Sequence, residues 1–217
     1  MVDKYEFCMQ KIGLFFSLLL AAAAIYGAGP FPFIEQGVRL GGAIGSAVIV
    51  TLTLKPLAKE FGRGLPVRRA FLWAIDTVLL VCFVFTLFNF SEVYESMWDG
   101  VIILEAPTLA VGFFGALVVI ESVRRTFGIT LPIICTLMLC YAHYGDLPGI
   151  LGHRGFTFEE VVEVTWFSFS GVFGRPTDIV SSIVLIFIVF GAVLEATGAT
   201  GILLKMATVA TAKIRGG

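Results

Sequence analysis

The chain has 217 residues, of which 58% are hydrophobic and only 14% charged, with a mean hydropathy of +0.95; soluble domains carry about 25% charged residues. That balance excludes a water-soluble domain and points to an all-α integral membrane protein, while a formal net charge of −1 gives no basic excess for nucleic acid.

A spanning helix needs roughly 20 apolar residues to cross about 30 Å of hydrocarbon at about 1.5 Å per residue. Residues 12–34, 70–91 and 126–145 reach that length with no charge except Asp76. Residues 40–54, 106–120 and 179–194 reach it only if Arg39, Lys55, Glu105, Glu121, Asp178 and Glu195 sit at the interfaces, where long charged side chains snorkel. About six transmembrane helices are expected.

The first run follows Lys4 and Lys11 and contains Ala21, Ala22, Ala23, Ala24, Gly27 and Ala28, so residues 1–28 also have the outline of a signal peptide. The run continues well past the usual signal core of about 7–15 residues, which favours a retained helix. In the second run Gly41 and Gly45 have the GxxxG spacing that lets helix backbones approach closely, here for packing within the chain. Residues 55–69 combine five basic residues with Pro56, Gly62, Gly64 and Pro66 and read as a basic loop attracted to anionic lipid. After the third run come Glu92, Glu95, Asp99 and Glu105, with Tyr94 and Trp98 placed as an aromatic belt would place them.

Beyond the fifth run lies a loop of about thirty residues, 145–176, longer than compact connections usually are. Within it Thr157 and Glu160 have capping-box spacing ahead of Val161, Val162, Val164, Trp166, Phe167 and Phe169, which predicts a helix starting after Phe156. With Glu159, Glu160 and Glu163 at one end and aromatics at the other, it either lies in the outer interface or enters the membrane and returns. At the end of the chain Gly198 and Gly201 interrupt the sixth run, and Leu203, Met206, Ala207, Ala210 and Ile214 recur at helical spacing beside Lys205, Lys213 and Arg215, which predicts a cytoplasmic-interface helix.

Orientation follows from the basic residues, which accumulate in short cytoplasmic loops. With the amino terminus cytoplasmic, 12 of them fall inside and only Arg39, Arg154 and Arg175 outside. Cys8, Cys82, Cys135 and Cys140 form no CxxC pair and read as small buried hydrophobes. The two histidines, His143 and His153, make no metal-ligand pattern, and GxSxG and GxxxxGK[ST] are absent; the expectation is therefore no enzyme, no metal and no cofactor. Asp76 and Glu195 are the candidate buried polar residues within spans, and intramembrane carboxylates are functional candidates by default. Both also lie near enough to the inner interface to reach headgroups or an inner arginine. For Glu195, a negative charge at a helix carboxy terminus opposes the dipole, which suggests a buried basic partner.

From Glu121 the chain reads ESVRRTFGITLP, then YAHYGDLPGILGHRGF, then SGVFGRPTDIVSSIVLIFIVFGAVLEATGATG. This string resembles the fused permeases of tripartite ATP-independent periplasmic (TRAP) transporters of the TAXI subtype. It includes Glu121, Arg124, Arg125, Gly128, Leu131, Pro132, Pro148, Gly149, His153, Arg154, Gly155, Gly174, Pro176, Gly191 and Glu195. The resemblance implies a small four-helix subunit-like region over residues 1–127 and the start of the large subunit over 128–217. It also implies a multi-pass protein of a bacterial or archaeal cytoplasmic membrane, importing organic acids by sodium symport from a periplasmic solute-binding protein. The family continues past the position of Gly217 into glycine- and serine-rich hairpins that carry its sodium and substrate sites, so the chain reads as the amino-terminal part of a longer permease and no such ligand is expected in it. His153, Arg154, Gly155, Glu159 and Glu160 are the candidates for binding-protein docking or for shaping the outer loop. The competing expectation is a non-transporting membrane subunit that binds other proteins.

Overall fold

The computed structural model describes residues 2–27, 29, 35–61, 66–99, 105–145 and 152–211. Gly62, Arg63, Gly64, Pro148, Gly149, Lys213, Ile214 and Arg215 lie outside the described residues, as do the side chains of Lys4, Pro66, Trp98, Asp99 and Ala210. In chain order the helices are α1 (Val2–Gly27), α2 (Gln36–Leu54), α3 (Leu57–Phe61), α4 (Pro66–Asp99), α5 (Ala106–Phe127), α6 (Thr130–Tyr144), α7 (Phe158–Trp166), α8 (Arg175–Ile179), a π turn (Val180–Val184), α9 (Leu185–Ala196) and α10 (Ala199–Thr211). No strand occurs among the described residues.

Five helical stretches are long and apolar enough to cross a membrane: Tyr5–Gly27, Gln36–Phe61, Val67–Met97, Ala106–Phe127 and Arg175–Ala196. Side-chain contacts fix their relative directions. Gly13 of α1 faces Thr53 and Leu54 of α2, while Gly37 and Gly45 of α2 face Tyr94 and Leu87 of α4, so both neighbours run antiparallel to α2. Arg39 of α2 pairs with Asp178 of α8, so the last span runs parallel to α2. One end of the bundle thus gathers Lys55, Lys59, Arg124 and Arg125; the other holds the starts of α2, α5 and α8.

The main core joins Leu40, Val48 and Leu52 of α2 to Phe83 and Phe90 of α4, Val118 of α5 and the aromatic residues Trp166, Phe167 and Phe173. A smaller cluster at the basic end packs Met9 of α1 and Ala58 of α3 on Trp73 of α4. There Glu6 of α1 also pairs with Arg69 and Lys59, and Tyr5 hydrogen-bonds to Thr77.

Four expectations need correction. The run 126–145 does not form one crossing helix: α5 continues through Arg124 and Arg125 to Phe127, and α6 has only 15 residues, about 22 Å at about 1.5 Å per residue. It ends at Gly145, whose φ of +32° closes the helix, where His143 and Tyr144 share a cavity with Phe113 and Ala116 in the middle of α5. Tyr94 is no belt residue; it is buried against Phe90 and Phe169. All four cysteines are free and exposed, because the apolar faces that carry them look outward and not into the bundle. Glu195 is exposed and has no ion pair among the described residues, so it is not a buried residue with a basic partner there.

The helix foreseen after Phe156 is α7, and it packs on the bundle through the buried Val162 and Trp166 while Phe158, Glu159 and Val164 stay exposed. Phe158 meets Phe113, Val162 and Phe167 meet Gly112, and Trp166 meets Gly115. Phe158, Val162 and Trp166 of α7 thus pack against residues 112–115 near the middle of α5. Glycine makes the contact close: a Cβ at Gly115 would lie 2.5 Å from the Trp166 ring, and one at Gly112 would lie 2.6 Å from the Phe167 ring. Gly115→Ala is therefore expected to destabilise the protein by about 1–3 kcal/mol through overpacking. Gly191→Ala, with open space at its Cβ position, is expected to have little effect. Thermal unfolding in detergent, followed by tryptophan fluorescence, checks the pair.

Candidate functional site: the inserted segment and the buried ion network

The segment 152–178 returns the chain from the end of α6 to the start of the last span, and its backbone is tied down at every stage. His153 N–H donates to the Gly145 carbonyl at 2.8 Å and Phe156 N–H to the Ala142 carbonyl at 3.0 Å, folding the loop back on the end of α6. The ring of His153 meets Tyr141 edge-on at 4.7 Å, and its Nδ1 lies 2.8 Å from the Arg154 carbonyl oxygen. His143 Nδ1 lies 2.9 Å from the Phe156 carbonyl. A Cβ at Gly155 would come within 2.5 Å of the His143 carbonyl oxygen, so Gly155 is where the loop backbone touches α6.

Thr157 then caps α7: its hydroxyl accepts from Glu160 N–H at 3.2 Å, and the Glu160 carboxylate accepts from Thr157 N–H at 2.7 Å. These hydrogen bonds, first that from the Thr157 N–H and then that from its hydroxyl, hold the Glu160 carboxyl below the ordinary carboxylate range, with Arg154 adding a weaker charge effect. Tyr141, His153, Arg154, Phe156 and Glu160 line an open cavity of about 510 Å³, and Arg154 and Glu159 are exposed. Three of the five candidate loop residues, His153, Arg154 and Glu160, therefore line one cavity, while His153 and Gly155 form the turn against α6 and Arg154 and Glu159 are exposed.

After Trp166 the chain turns through residues 167–174 at the depth of Phe83 and Phe90 of α4. Trp166 packs edge-on to Phe83 and to Phe173, and Phe173 stacks on Phe90 at 3.7 Å. Val172 N–H donates to the Thr165 carbonyl at 2.8 Å, Gly174 N–H to Gly171 at 3.0 Å, and the Thr177 hydroxyl to the Val172 carbonyl at 2.6 Å.

The other candidate, Asp76, belongs to a network at the basic end. Its side chain is fully buried and lies 2.7 Å from Arg125 Nη1, whose side chain is 1% exposed. Asp76 also accepts from the Leu57 N–H at 2.9 Å, which satisfies a free donor at the start of α3. Arg125 donates to Glu121 at 2.8 Å and to the Lys55 carbonyl at 3.3 Å, while Arg124 bridges Glu121 and both carboxylate oxygens of Glu60. Four elements, α2, α3, α4 and α5, are thus joined through two arginines. Both arginines sit in the last turn of α5, where positive charge suits the helix dipole.

Sequence reasoning placed Asp76 within reach of an inner arginine without naming which one, and it missed Arg39–Asp178. Each of those two was placed separately at an interface, although opposite charges near the same end of two spans were the available signal. The described residues hold no cluster of three or more potential metal ligands, and Ser168 donates to no catalytic partner; its hydroxyl accepts from Ser170 N–H at 2.9 Å.

Removing one partner of the buried pair leaves the other charge unpaired, so Arg125→Met is expected to cost about 3–5 kcal/mol. The double substitution Arg125→Met with Asp76→Leu should recover most of that loss; unfolding midpoints of the three proteins give the comparison. The lowered Glu160 carboxyl has the opposite sign of pH dependence from a raised group. Its contribution to the α7 cap is present above the ordinary carboxylate value and lost as pH falls through the lowered one. Protection of the amides at residues 158–161, taken relative to their intrinsic exchange rates at each pH, should fall over that acid range in the wild type, and Glu160→Gln should remove that fall. No protein-family model matches this chain, and no curated protein or solved structure shows significant similarity to it.

Proposed function

We propose that the chain forms the scaffold side of a TRAP-type permease, importing organic carboxylates that a periplasmic solute-binding protein delivers, with sodium as the coupling ion. In this reading the amino terminus is cytoplasmic in a bacterial or archaeal inner membrane. The α6 helix and the inserted segment together take the place of a fifth crossing, so the basic end faces the cytoplasm as the distribution of Lys and Arg favours.

The observation that carries the proposal is the inserted segment itself. It contains the HRGF and SGVFGRPTD stretches on which the family resemblance rests, and it is anchored in the bundle by Trp166 while Arg154 and Glu159 remain exposed. A loop anchored to α6 and α5 that leaves Arg154 and Glu159 exposed suits docking of a soluble partner. The substrate and sodium sites of the family are not assigned to any residue of this chain.

A second reading, a membrane subunit that assembles with others and does not transport, draws on the network around Arg125, which fixes α2–α5 as one unit. Uptake separates the two. Proteoliposomes carrying the permease that contains this sequence, with its binding protein and a labelled carboxylate, are expected to accumulate substrate only under an inward sodium gradient. Arg154→Glu with Glu159→Lys should raise the binding-protein concentration needed for half-maximal uptake by about tenfold and leave the maximal rate near wild type. Uptake that survives collapse of the sodium gradient would overturn the coupling, and absence of any uptake would favour the assembly subunit.

A further inference from the structure

A cavity of about 350 Å³ opens between α1, α2 and the π turn, apart from the loop around His153 and from the Arg125 network. Its lining follows one face of each helix: Leu19, Ala23 and Gly27 on α1, Arg39, Gly42 and Ser46 on α2, with Ser181 to Leu185 closing the third side. On α1 and on α2 the lining covers eight residue steps, about 12 Å of axis. Because α2 and the last span run parallel, with Arg39 beside Asp178, and α1 runs against them, the cavity has a direction. Its rim holds Gly27 and the Arg39–Asp178 pair, and its floor holds Leu19, Leu20 and Leu185.

Two observations point to an occupant. First, Gly27 and Gly42 have no described atom within 4 Å of the position a Cβ would take, whereas Gly13, Gly37 and Gly45 on the same two helices face side chains at 2.5–2.7 Å. Close helix packing accounts for the second group and not for the first, which leaves the cavity open beside Gly42 and at its rim beside Gly27. Second, the charges at the rim are incompletely used. Arg39 Nη2 donates to Asp178 Oδ1 at 2.6 Å, but Arg39 Nε and Nη1 and Asp178 Oδ2 have no hydrogen bond among the described residues. The two side chains are 27% and 34% exposed.

We propose that this slot binds one phospholipid of the ethanolamine type, with its phosphate on Arg39, its ammonium on Asp178 and an acyl chain in the apolar trough. The commitment to ethanolamine comes from the rim. Because the single positive charge of Arg39 is already matched by Asp178, a lipid with phosphate alone leaves the rim with a net negative charge. Choline carries positive charge but no N–H to donate to that carboxylate, whereas an ammonium donates charge-assisted hydrogen bonds. Arginine matches phosphate through its planar fork of donors. The volume falls within the range of small-molecule pockets, about 300–1,000 Å³. Bound there, the lipid bridges α1 and α2 to the last span along the seam that Arg39–Asp178 closes at the rim.

The test uses the full chain reconstituted in vesicles of equal parts phosphatidylethanolamine, phosphatidylglycerol and phosphatidylcholine, extracted stepwise and examined by native mass spectrometry. One phosphatidylethanolamine per chain should outlast the other two lipids by about tenfold in retained fraction. Gly42→Leu and Ala23→Leu fill the slot from its open side and should each reduce that retention about tenfold with the unfolding midpoint unchanged; either variant that folds suffices. Arg39→Met with Asp178→Leu keeps the trough and removes both rim charges, and it should abolish the preference among the three headgroups. Equal retention of the three lipids by the wild type, or retention that the slot-filling substitutions leave unchanged, overturns the proposal. No transport measurement enters, so the result stands apart from the permease reading.

Discussion

A helix of 15 residues cannot carry the backbone across about 30 Å of hydrocarbon, and α6 is such a helix. In the topology proposed above the chain completes its return through the irregular residues 152–157 and 167–174, and irregular backbone survives at membrane depth only where protein shelters it and internal partners satisfy its polar groups. Much of the described architecture follows from that demand. Gly112 and Gly115 let α7 approach α5, Trp166 and Phe173 fill the space against Phe83 and Phe90, and Tyr94 leaves the rim to cover Phe169. The turn itself is satisfied through Val172 to Thr165, Gly174 to Gly171 and Thr177 to Val172. The buried indole nitrogen of Trp166 and the buried Nε2 of His153 are exceptions, with no hydrogen-bond partner among the described residues.

Two ion pairs hold this arrangement at opposite ends, and their energetics differ. Asp76–Arg125 is sealed from solvent, so its worth lies in the cost of losing one partner, several kcal/mol, and less in net attraction. Arg39–Asp178 is about one-third exposed, where screening reduces a pair to about 0–1 kcal/mol. The first therefore acts as a lock on α2–α5, whereas the second sets register between α2 and the last span. It joins residues far apart in the chain, 39 and 178, which the sequence analysis assigns to different regions.

How far the sequence disclosed this depended on whether a feature was local. The Thr157–Glu160 box is complete within four residues, and the helix it announces is present with both reciprocal hydrogen bonds. The Gly41 and Gly45 spacing likewise serves packing inside the chain, against Phe90 and Leu87. Counting charge-free runs failed where charges were neutralised by neighbours. The run 106–120 puts Glu121 at the end of the fourth span, but Glu121, Arg124 and Arg125, paired with one another, with Glu60 and with Asp76, extend α5 to Phe127. The residues left over, with Gly128 and Ile129 spent on the turn, were too few for another crossing. Of the candidate site, the clustering of His153, Arg154 and Gly155 at one turn was legible from their adjacency. That their helix would pack on α5 was not, because it depends on two glycines forty residues earlier.

The same physics explains why some helices are held firmly and others hardly at all. Lipid chains are as apolar as leucine, so burying a leucine between helices in a bilayer gains little, and association rests on close packing of small residues and on polar contacts. The α9 helix has no buried residue, yet its backbone bonds are internal and hydrocarbon can cover its outer faces without cost. The α2, α4 and α5 helices, by contrast, carry charges or glycine-lined contacts that lipid cannot replace. In this chain the sequence positions that decide the fold are consequently its glycines and its few ionised side chains, while the apolar majority decides only that the fold forms in a membrane.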